Sequence, residues 1–494
     1  MQMQHVPGLA IAILQNDTVA STGYGWASID PPKPCTADTL FDIASASKSL
    51  TAASVGLLIH DNVRYPEVRY NATMSSLLPD DFVMAKEEYT KEVTVADVLS
   101  HRTGIASHDL SYFGSGATLP DDARSVTRNL RNLDIAYPLR FKHVYCNMMY
   151  TVASYLVEKK SGLPFADFLE RYFFGPLNMT STNLQPGRAR AKGLGDRIAT
   201  GYVWHNKRKQ YQGLELLDSP EAQGADAVIT SVNDYIKWVK AMVNHEPPIT
   251  NDIYKGLVRP RIVEDEGDSP QRPFTSPAYY AAGWETYSYR GHTVVSHDGS
   301  DIGFHSYHFF VPELKAGGVI FDNSDSGGPI LNILMREVID EFLNVPKAKR
   351  VNWVAVETEG AEAKAGARLE GDAKAEDLRD RCPGVREPEP QTLPLDAYTG
   401  KYWNPGYREM TVQINNGSLF VDAGDRSMAF TLKFRHLCNQ TKYTAHSRSP
   451  ASLGFADSDD LDAEFRLENN KAVRMGLQLD DDLPGFIWFD KREA

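Results

Sequence analysis

The 494-residue chain contains no apolar run of the length needed to cross a bilayer, which excludes a membrane-spanning helix. It has no basic excess either. Its 52 Lys and Arg against 65 Asp and Glu leave a formal net charge of -13, and without clustered cations to neutralise phosphates a nucleic acid is excluded as a partner. Cysteine is scarce: Cys35, Cys146, Cys382 and Cys438 show neither C-x-x-C spacing nor the density of a disulfide framework, so free thiols in a reducing compartment are expected. The opening MQMQHVPGLAIAIL lacks a basic segment, a long apolar core and a small-residue cleavage site. With no secretory signal read there, a cytoplasmic location is expected. The N-x-S/T triplets at Asn16, Asn71, Asn178, Asn416 and Asn439 are read as chance occurrences in a long chain.

Missing motifs narrow the chemistry further. H-E-x-x-H, G-x-S-x-G and G-x-x-x-x-G-K do not occur, which removes the sequence basis for a zinc protease, an α/β-hydrolase or a P-loop enzyme. His305 and His308 are three apart in an expected strand and so point to opposite faces, which argues against joint metal ligation. No metal and no cofactor is expected. His143 and Cys146 could form an imidazole-thiolate pair, but a small buried thiol is the better reading of Cys146. His101 and His108 fall in or beyond a helix end, where C-terminal capping accounts for them.

What is present describes a globular chain: 42% hydrophobic and 24% charged residues, over a length that implies two or three domains. GLAIAILQNDTVASTGYGWAS reads as a hairpin around Asn16-Asp17. From Ser45 to about Ser181 the periodicity is helical, and NMMYTVASYLVEKKSG ends at Gly162 with Pro164 beyond. Strand patterns return between Tyr279 and Asp325, followed by a packing helix in LNILMREVIDEFLNV. An α+β fold follows, in which early and late strands share one antiparallel sheet and a helical block, about 46–200, is inserted between them. The first domain is placed at 1–345. Residues 346–392, rich in Ala, Glu, Lys, Gly and Pro, read as a charged linker, and the alternating short strands of 393–494 as a β-barrel or sandwich.

The chemistry begins at Ser45-Ala46-Ser47-Lys48. This is the only serine with a lysine three residues on, and on a helix the two side chains share a face. A serine becomes nucleophilic only when a neighbour takes its proton, which a lysine can do. The plainer alternative makes Ser45 an N-cap. Tyr145-Cys146-Asn147 offers a phenol for proton relay and an amide to hold lysine or substrate, against the alternative of a packing aromatic and an N-cap asparagine. A second Tyr-x-Asn, at Tyr402, lies in the C-terminal strands and is given no role. His297-Asp298-Gly299-Ser300 ends a strand pattern. Glycine there permits close backbone approach, and the Ser300 N–H could join the Ser45 N–H as an oxyanion hole.

SASK, YCN and HDG stand in the order and approximate separations of the serine β-lactamase and penicillin-binding-protein superfamily, which includes class C β-lactamases, D-aminopeptidases and S12-type peptidases and esterases. VPGLAIAIL, LFDIASASKSLTA, VTVADVLSHRTGI, FFGPLNMTSTN, AAGW and VVSHDGSDIGFHS resemble stretches of it, over roughly residues 1–345. The resemblance implies a β-lactamase/transpeptidase-like antiparallel sheet with an inserted helical block. It also implies Ser45 as acylated nucleophile, Lys48 and Tyr145 as proton-transfer pair, and Asn147, His297, Gly299 and Ser300 as substrate-binding residues. The C-terminal strands resemble the lipocalin-like barrel of some S12-type peptidases. The third motif departs from the Lys-Thr-Gly of many members, replacing a permanent cation by a group near neutral at pH 7, which argues against efficient penicillin hydrolysis. Lys160-Ser161-Gly162 is read as a helix C-terminus instead. The expected activity is hydrolysis of a small ester, amide or short peptide through an acyl-enzyme. An acyltransferase, or a catalytically weak binding or assembly protein, is the alternative. Oligomeric state is left open.

Overall fold

Asn16 and Asp17 both take left-handed backbone, φ 45° and 63°, and so make the tight turn that joins β1 (Gly8–Gln15) to β2 (Thr18–Ile29). The computed structural model describes the chain except for residues 207, 265–271, 360–377, 379–380, 450–459 and 493–494. After β2 come the two-residue strand β3 (Phe41–Asp42) and a 3₁₀ turn over Ala44–Ser47 that runs into α1 (Lys48–His60). KSLTAASVGLLIH is apolar or small on nearly every side, and α1 is buried almost throughout, as a helix without a polar face must be. It packs on α2 (Asn147–Ser161), which Gly162 ends in left-handed conformation, φ 72°. Lys160-Ser161-Gly162 is therefore a helix terminus.

The short strand β4 (Val228–Thr230) pairs with β3, placing Ile229 opposite Asp42, and leads into α3 (Val232–Asn244), whose N-cap Ser231 accepts the Asp234 N–H. Then follow β5 (Glu285–Tyr289), β6 (His292–Asp301), β7 (Phe304–Val311), β8 (Ala316–Asp322) and α4 (Gly328–Phe342). The nine-stranded antiparallel sheet has the order Pro32–Pro34, β2, β1, β8, β7, β6, β5, Tyr279–Tyr280, Ile262–Val263. Early and late strands thus meet where Ile11 lies opposite Ile320. AGGVIFD of β8 is buried along its whole length, because α3 and α4 both pack against this central strand. Among the described residues, no helix is long and apolar enough to cross a membrane.

The chain divides into two compact units, one of 1–107, 121–131 and 137–351, the other of 108–120, 132–136 and 352–494. In the second, eight antiparallel strands from Gly400 to Lys491 close into a barrel, with Asn416-Gly417 and Asn469-Asn470 as left-handed hairpin turns. Tyr402, Leu432, Phe465 and Phe489 lie in its core. The segment 108–120 belongs to this barrel unit. The His108 ring meets the Tyr407 hydroxyl at 2.8 Å and the Asp134 carbonyl at 2.8 Å, and the Arg426 guanidinium sits 3.8 Å over the Phe113 ring. His108 is consequently a buried barrel-unit residue and not the C-terminal helix cap expected from the sequence. Of the linker expected over 346–392, residues 360–377 and 379–380 lie outside the described residues.

Cys382 and Cys438 are joined by a disulfide, which corrects the expectation of four free thiols and removes the ground for a reducing compartment. Cys35 and Cys146 are buried and take no part in that bridge. The bridge closes a sequence separation of 56 residues and packs with Leu378 and Leu437. Because it limits the unfolded chain, the double Cys382→Ser, Cys438→Ser variant is expected to unfold its barrel more easily by about 2–4 kcal/mol in denaturant titrations.

Candidate active site

Ser45 lies in a turn whose backbone is set before any side chain acts. The preceding Ala44 is left-handed, φ 46°, and its N–H is received by Asp42 Oδ1 at 2.8 Å. Ser45 is not the cap of α1, since the N-cap position belongs to Ser47. Its Oγ instead receives the Lys48 ammonium at 2.8 Å. Lys48 is wholly buried. Besides Ser45, Nζ donates to Asn147 Oδ1 at 2.8 Å and to the Ala225 carbonyl at 2.9 Å, so three elements converge on one nitrogen.

Tyr145 and Asn147 sit where the chain enters α2. Cys146 is the N-cap and Asn147 the first helical residue, and the asparagine turns its Oδ1 to Lys48. The Tyr145 ring centroid is 4.8 Å from Lys48 Nζ, and its phenol is hydrogen-bonded to Ser45. Burial holds this phenol well above its ordinary range, with the bond to Ser45 pulling it back and the Asp298 charge adding to the rise. At neutral pH Tyr145 keeps its proton.

The third motif lies on β6. Gly299 faces the Ser45 turn so closely that a Cβ would stand 2.1 Å from the Ile43 carbonyl oxygen and 3.0 Å from the Ser45 nitrogen. Gly299→Ala is expected to lower the unfolding free energy by about 1–3 kcal/mol, measured by chemical denaturation. Ser300 is exposed, and its Oγ lies 3.2 Å from His305 Nε2. His297 is buried and both its nitrogens are occupied within the protein: Nδ1 donates to the Asp298 carbonyl at 2.6 Å and Nε2 receives the Tyr280 hydroxyl at 2.8 Å. Burial, and then the Lys48 charge, push its pKa down to about 3, so the ring is neutral across the physiological range.

Several neighbours have a place around the site that the sequence reading did not assign them. His101 is buried against the Tyr145 ring at a centroid distance of 4.2 Å, and its Nδ1 accepts the Cys146 N–H at 3.1 Å, which holds the Tyr145-Cys146-Asn147 turn and places the ring proton on Nε2. It is therefore a support under the second motif. Tyr280 stands between His297 and His143, stacking on the latter at 5.2 Å. Glu285, His297 and Asp298 bring one polar atom each within 4.8 Å of one another, and burial followed by the Glu264 charge holds the Glu285 carboxyl well above its ordinary range. With both His297 nitrogens bonded inside the protein, that group offers a metal two carboxylates and no vacant imidazole. Cys146 directs its sulfur to the Ser107 carbonyl at 3.8 Å, as a buried thiol. His305 and His308 separate as expected, His308 being buried beside Trp284 while His305 bonds the Ser324 carbonyl.

Residues 385–490 match the family model described as Domain of unknown function (DUF3471). "Unguisins hydrolase ungD'" of Aspergillus campestris (strain IBT 28561) is 34% identical over 439 residues, covering 87% of this chain and 79% of that protein. The octameric penicillin-binding protein homologue from Pyrococcus abyssi superimposes with a TM-score of 0.60 at 18% identity, over 99% of this chain and 97% of that one. The D-amino acid amidase from Ochrobactrum anthropi SV3, solved with L-phenylalanine amide, gives a TM-score of 0.50 at 18% identity over 65% and 88%. These two share the fold. Residues 1–338 match the family model described as Beta-lactamase, and the chain, with its Ser45–Lys48 helix beside an antiparallel sheet, belongs to that family of hydrolases.

Proposed function

We propose that this protein hydrolyses an amide bond of a small peptide-like substrate through an acyl-enzyme on Ser45. The observation that carries this is the convergence of Ser45 Oγ, Asn147 Oδ1 and the Ala225 carbonyl on the Lys48 nitrogen. As Ser45 attacks the substrate carbonyl, Lys48 in its free-amine form takes the hydroxyl proton across 2.8 Å, its two N–H groups donating to Asn147 Oδ1 and the Ala225 carbonyl and so keeping the lone pair aimed at Ser45. Tyr145, bonded to Ser45 and still protonated, donates to the departing nitrogen. The N–H groups of Ser45 and Ser300 receive the developing oxyanion, an assignment supported by the close approach of Gly299 to the Ser45 nitrogen. Water then takes the place of the amine, and the same groups run the proton transfers in reverse. The neutral, internally bonded His297 offers no cation for a substrate carboxylate, which supports a substrate other than a penicillin.

The amide, as opposed to an ester, is favoured by the relative named unguisins hydrolase. The test is a panel of unguisin, a D-amino acid amide, a short-chain chromogenic ester and a penicillin, with kcat/KM for each. The expected result is product one water heavier than unguisin and the highest kcat/KM for an amide. No turnover of any member, together with no fluorophosphonate adduct on the Ser45 peptide, overturns the reading.

A further inference from the structure

Two alanines flanking the Ser45–Lys48 pair hold backbone that costs an L-residue about 1–2 kcal/mol each. Ala44, φ 46°, directly precedes Ser45, and Ala227, φ 75°, lies two residues after the Ala225 carbonyl that receives Lys48. Each is tied by the carboxyl of a nearby aspartate. Asp42 Oδ1 accepts the Ala44 N–H at 2.8 Å, and Asp226 Oδ1 accepts the Ala227 N–H at 2.6 Å. The two carboxyls also lie close enough to interact, on segments that meet at the β3–β4 pairing. Ionised carboxylates only accept, so a hydrogen bond between them needs a proton held between the two.

We propose that Asp42 and Asp226 form a proton-sharing clasp that keeps the Ser45 turn in register with the Ala225 turn, making both aspartates positioning residues for Lys48. The clasp spans β3 and the segment entering β4, which also meet through the Ile43 N–H to the Val228 carbonyl at 3.1 Å and the Val228 N–H to Ser47 Oγ at 3.2 Å. The charged and titratable groups facing it are Lys48, on the Asp226 side, and Asp301 at the end of β6, with Asp325 behind Asp301. Burial first, and then Asp226 and Asp301, hold Asp42 well above the ordinary carboxylate range. Burial likewise raises Asp226, against the pull of the Ala227 N–H and Lys48. Asp301 is pushed up to about 7, mainly by burial and then by Asp226. A carboxyl whose folded pKa is raised binds a proton that the unfolded chain has released. Its contribution is present below the unfolded value near 4 and is lost as pH rises through the folded value. In alkaline solution the carboxylates repel, and the Ala225 carbonyl loses its hold on the lysine.

The proposal rests on Ser45 being the nucleophile, and the experiment separates the two. The rate of fluorophosphonate labelling of Ser45 is measured from about pH 5 to about pH 9 in the parent, Asp226→Asn and Asp226→Leu. Asparagine keeps an oxygen for the Ala227 N–H and gives Asp42 an amide donor that does not titrate. Its alkaline fall is expected at least ~1 pH unit above that of the parent, with neutral labelling reduced by less than ~10-fold, whereas leucine loses ~100-fold at all pH values. Parent and asparagine profiles that coincide, or an asparagine variant as slow as leucine, overturn the clasp. If the parent itself fails to label, the Ser45 reading falls, and infrared spectroscopy still decides the clasp. A protonated-carboxyl C=O band at neutral pH, lost in both Asp226→Asn and Asp42→Asn, supports it, and absence of the band from the parent overturns it.

Discussion

Replacing Ser45 with alanine is expected to lower kcat on the best amide substrate by at least ~10⁴-fold, because the remaining groups can polarise the carbonyl but have no oxygen with which to form the acyl-enzyme. The loss should fall on kcat and leave substrate affinity nearly intact. Only one of the three acceptors around Lys48 is removed, the Asn147 and Ala225 oxygens staying in place, so stability should change by about 1 kcal/mol. Intact-mass spectrometry after fluorophosphonate treatment provides the second readout, with an adduct in the parent and none in the variant. Turnover in the alanine variant comparable to the parent would remove Ser45 from the mechanism.

Lys48→Met should cost ~10³-fold in kcat, within the range by which a positioned general base accelerates proton transfer. Methionine fills a similar volume and leaves the hydroxyl of Ser45 in place but with no acceptor for its proton. It also takes the lysine donor away from Asn147 Oδ1 and from the buried Ala225 carbonyl, at about 1–3 kcal/mol for a buried acceptor that loses its donor. A second consequence can be followed by NMR. The Lys48 charge contributes to holding down both His297 and His101, so both imidazoles should titrate at higher pH in the methionine variant, His297 from about 3. Both should remain below the ordinary histidine value, since burial is the larger cause in each. Unmoved histidine titrations with lost activity would indicate that the two rings do not sense this nitrogen.

Features governed by neighbours in sequence were legible from the chain alone. The Asn16-Asp17 and Asn416-Gly417 turns need left-handed residues flanked by alternating patterns, and both are present in the written order. The three-residue offset of Ser45 and Lys48 states their proximity directly. Tyr145 and Asn147 were separable from the similar Tyr402-Trp403-Asn404 only through their place ahead of a helix, and the structure sets Tyr402 inside the barrel core. Features governed by distant pairings were not legible. Cys382 and Cys438, 56 residues apart, carry no spacing signal. His101 reads as a helix-end residue until the chain returns at Cys146 to bond it. Asp42 and Asp226 are each unremarkable acids in the written chain, and only the β3–β4 pairing brings them together.

The assignment of residues 108–120 and 132–136 to the barrel unit bears on how the polypeptide is made and how it can be divided. Tyr112 and Phe113 are synthesised long before the first barrel strand at Gly400, yet the Ser427 N–H bonds the Tyr112 carbonyl and Arg426 covers Phe113. During vectorial synthesis these aromatic side chains must wait for partners that are made much later, a period in which they are open to chaperones and to misassociation. Proteolysis or gene truncation near residue 351 would not release a self-sufficient barrel, since the excised piece would lack the stretch that supplies His108 to Tyr407.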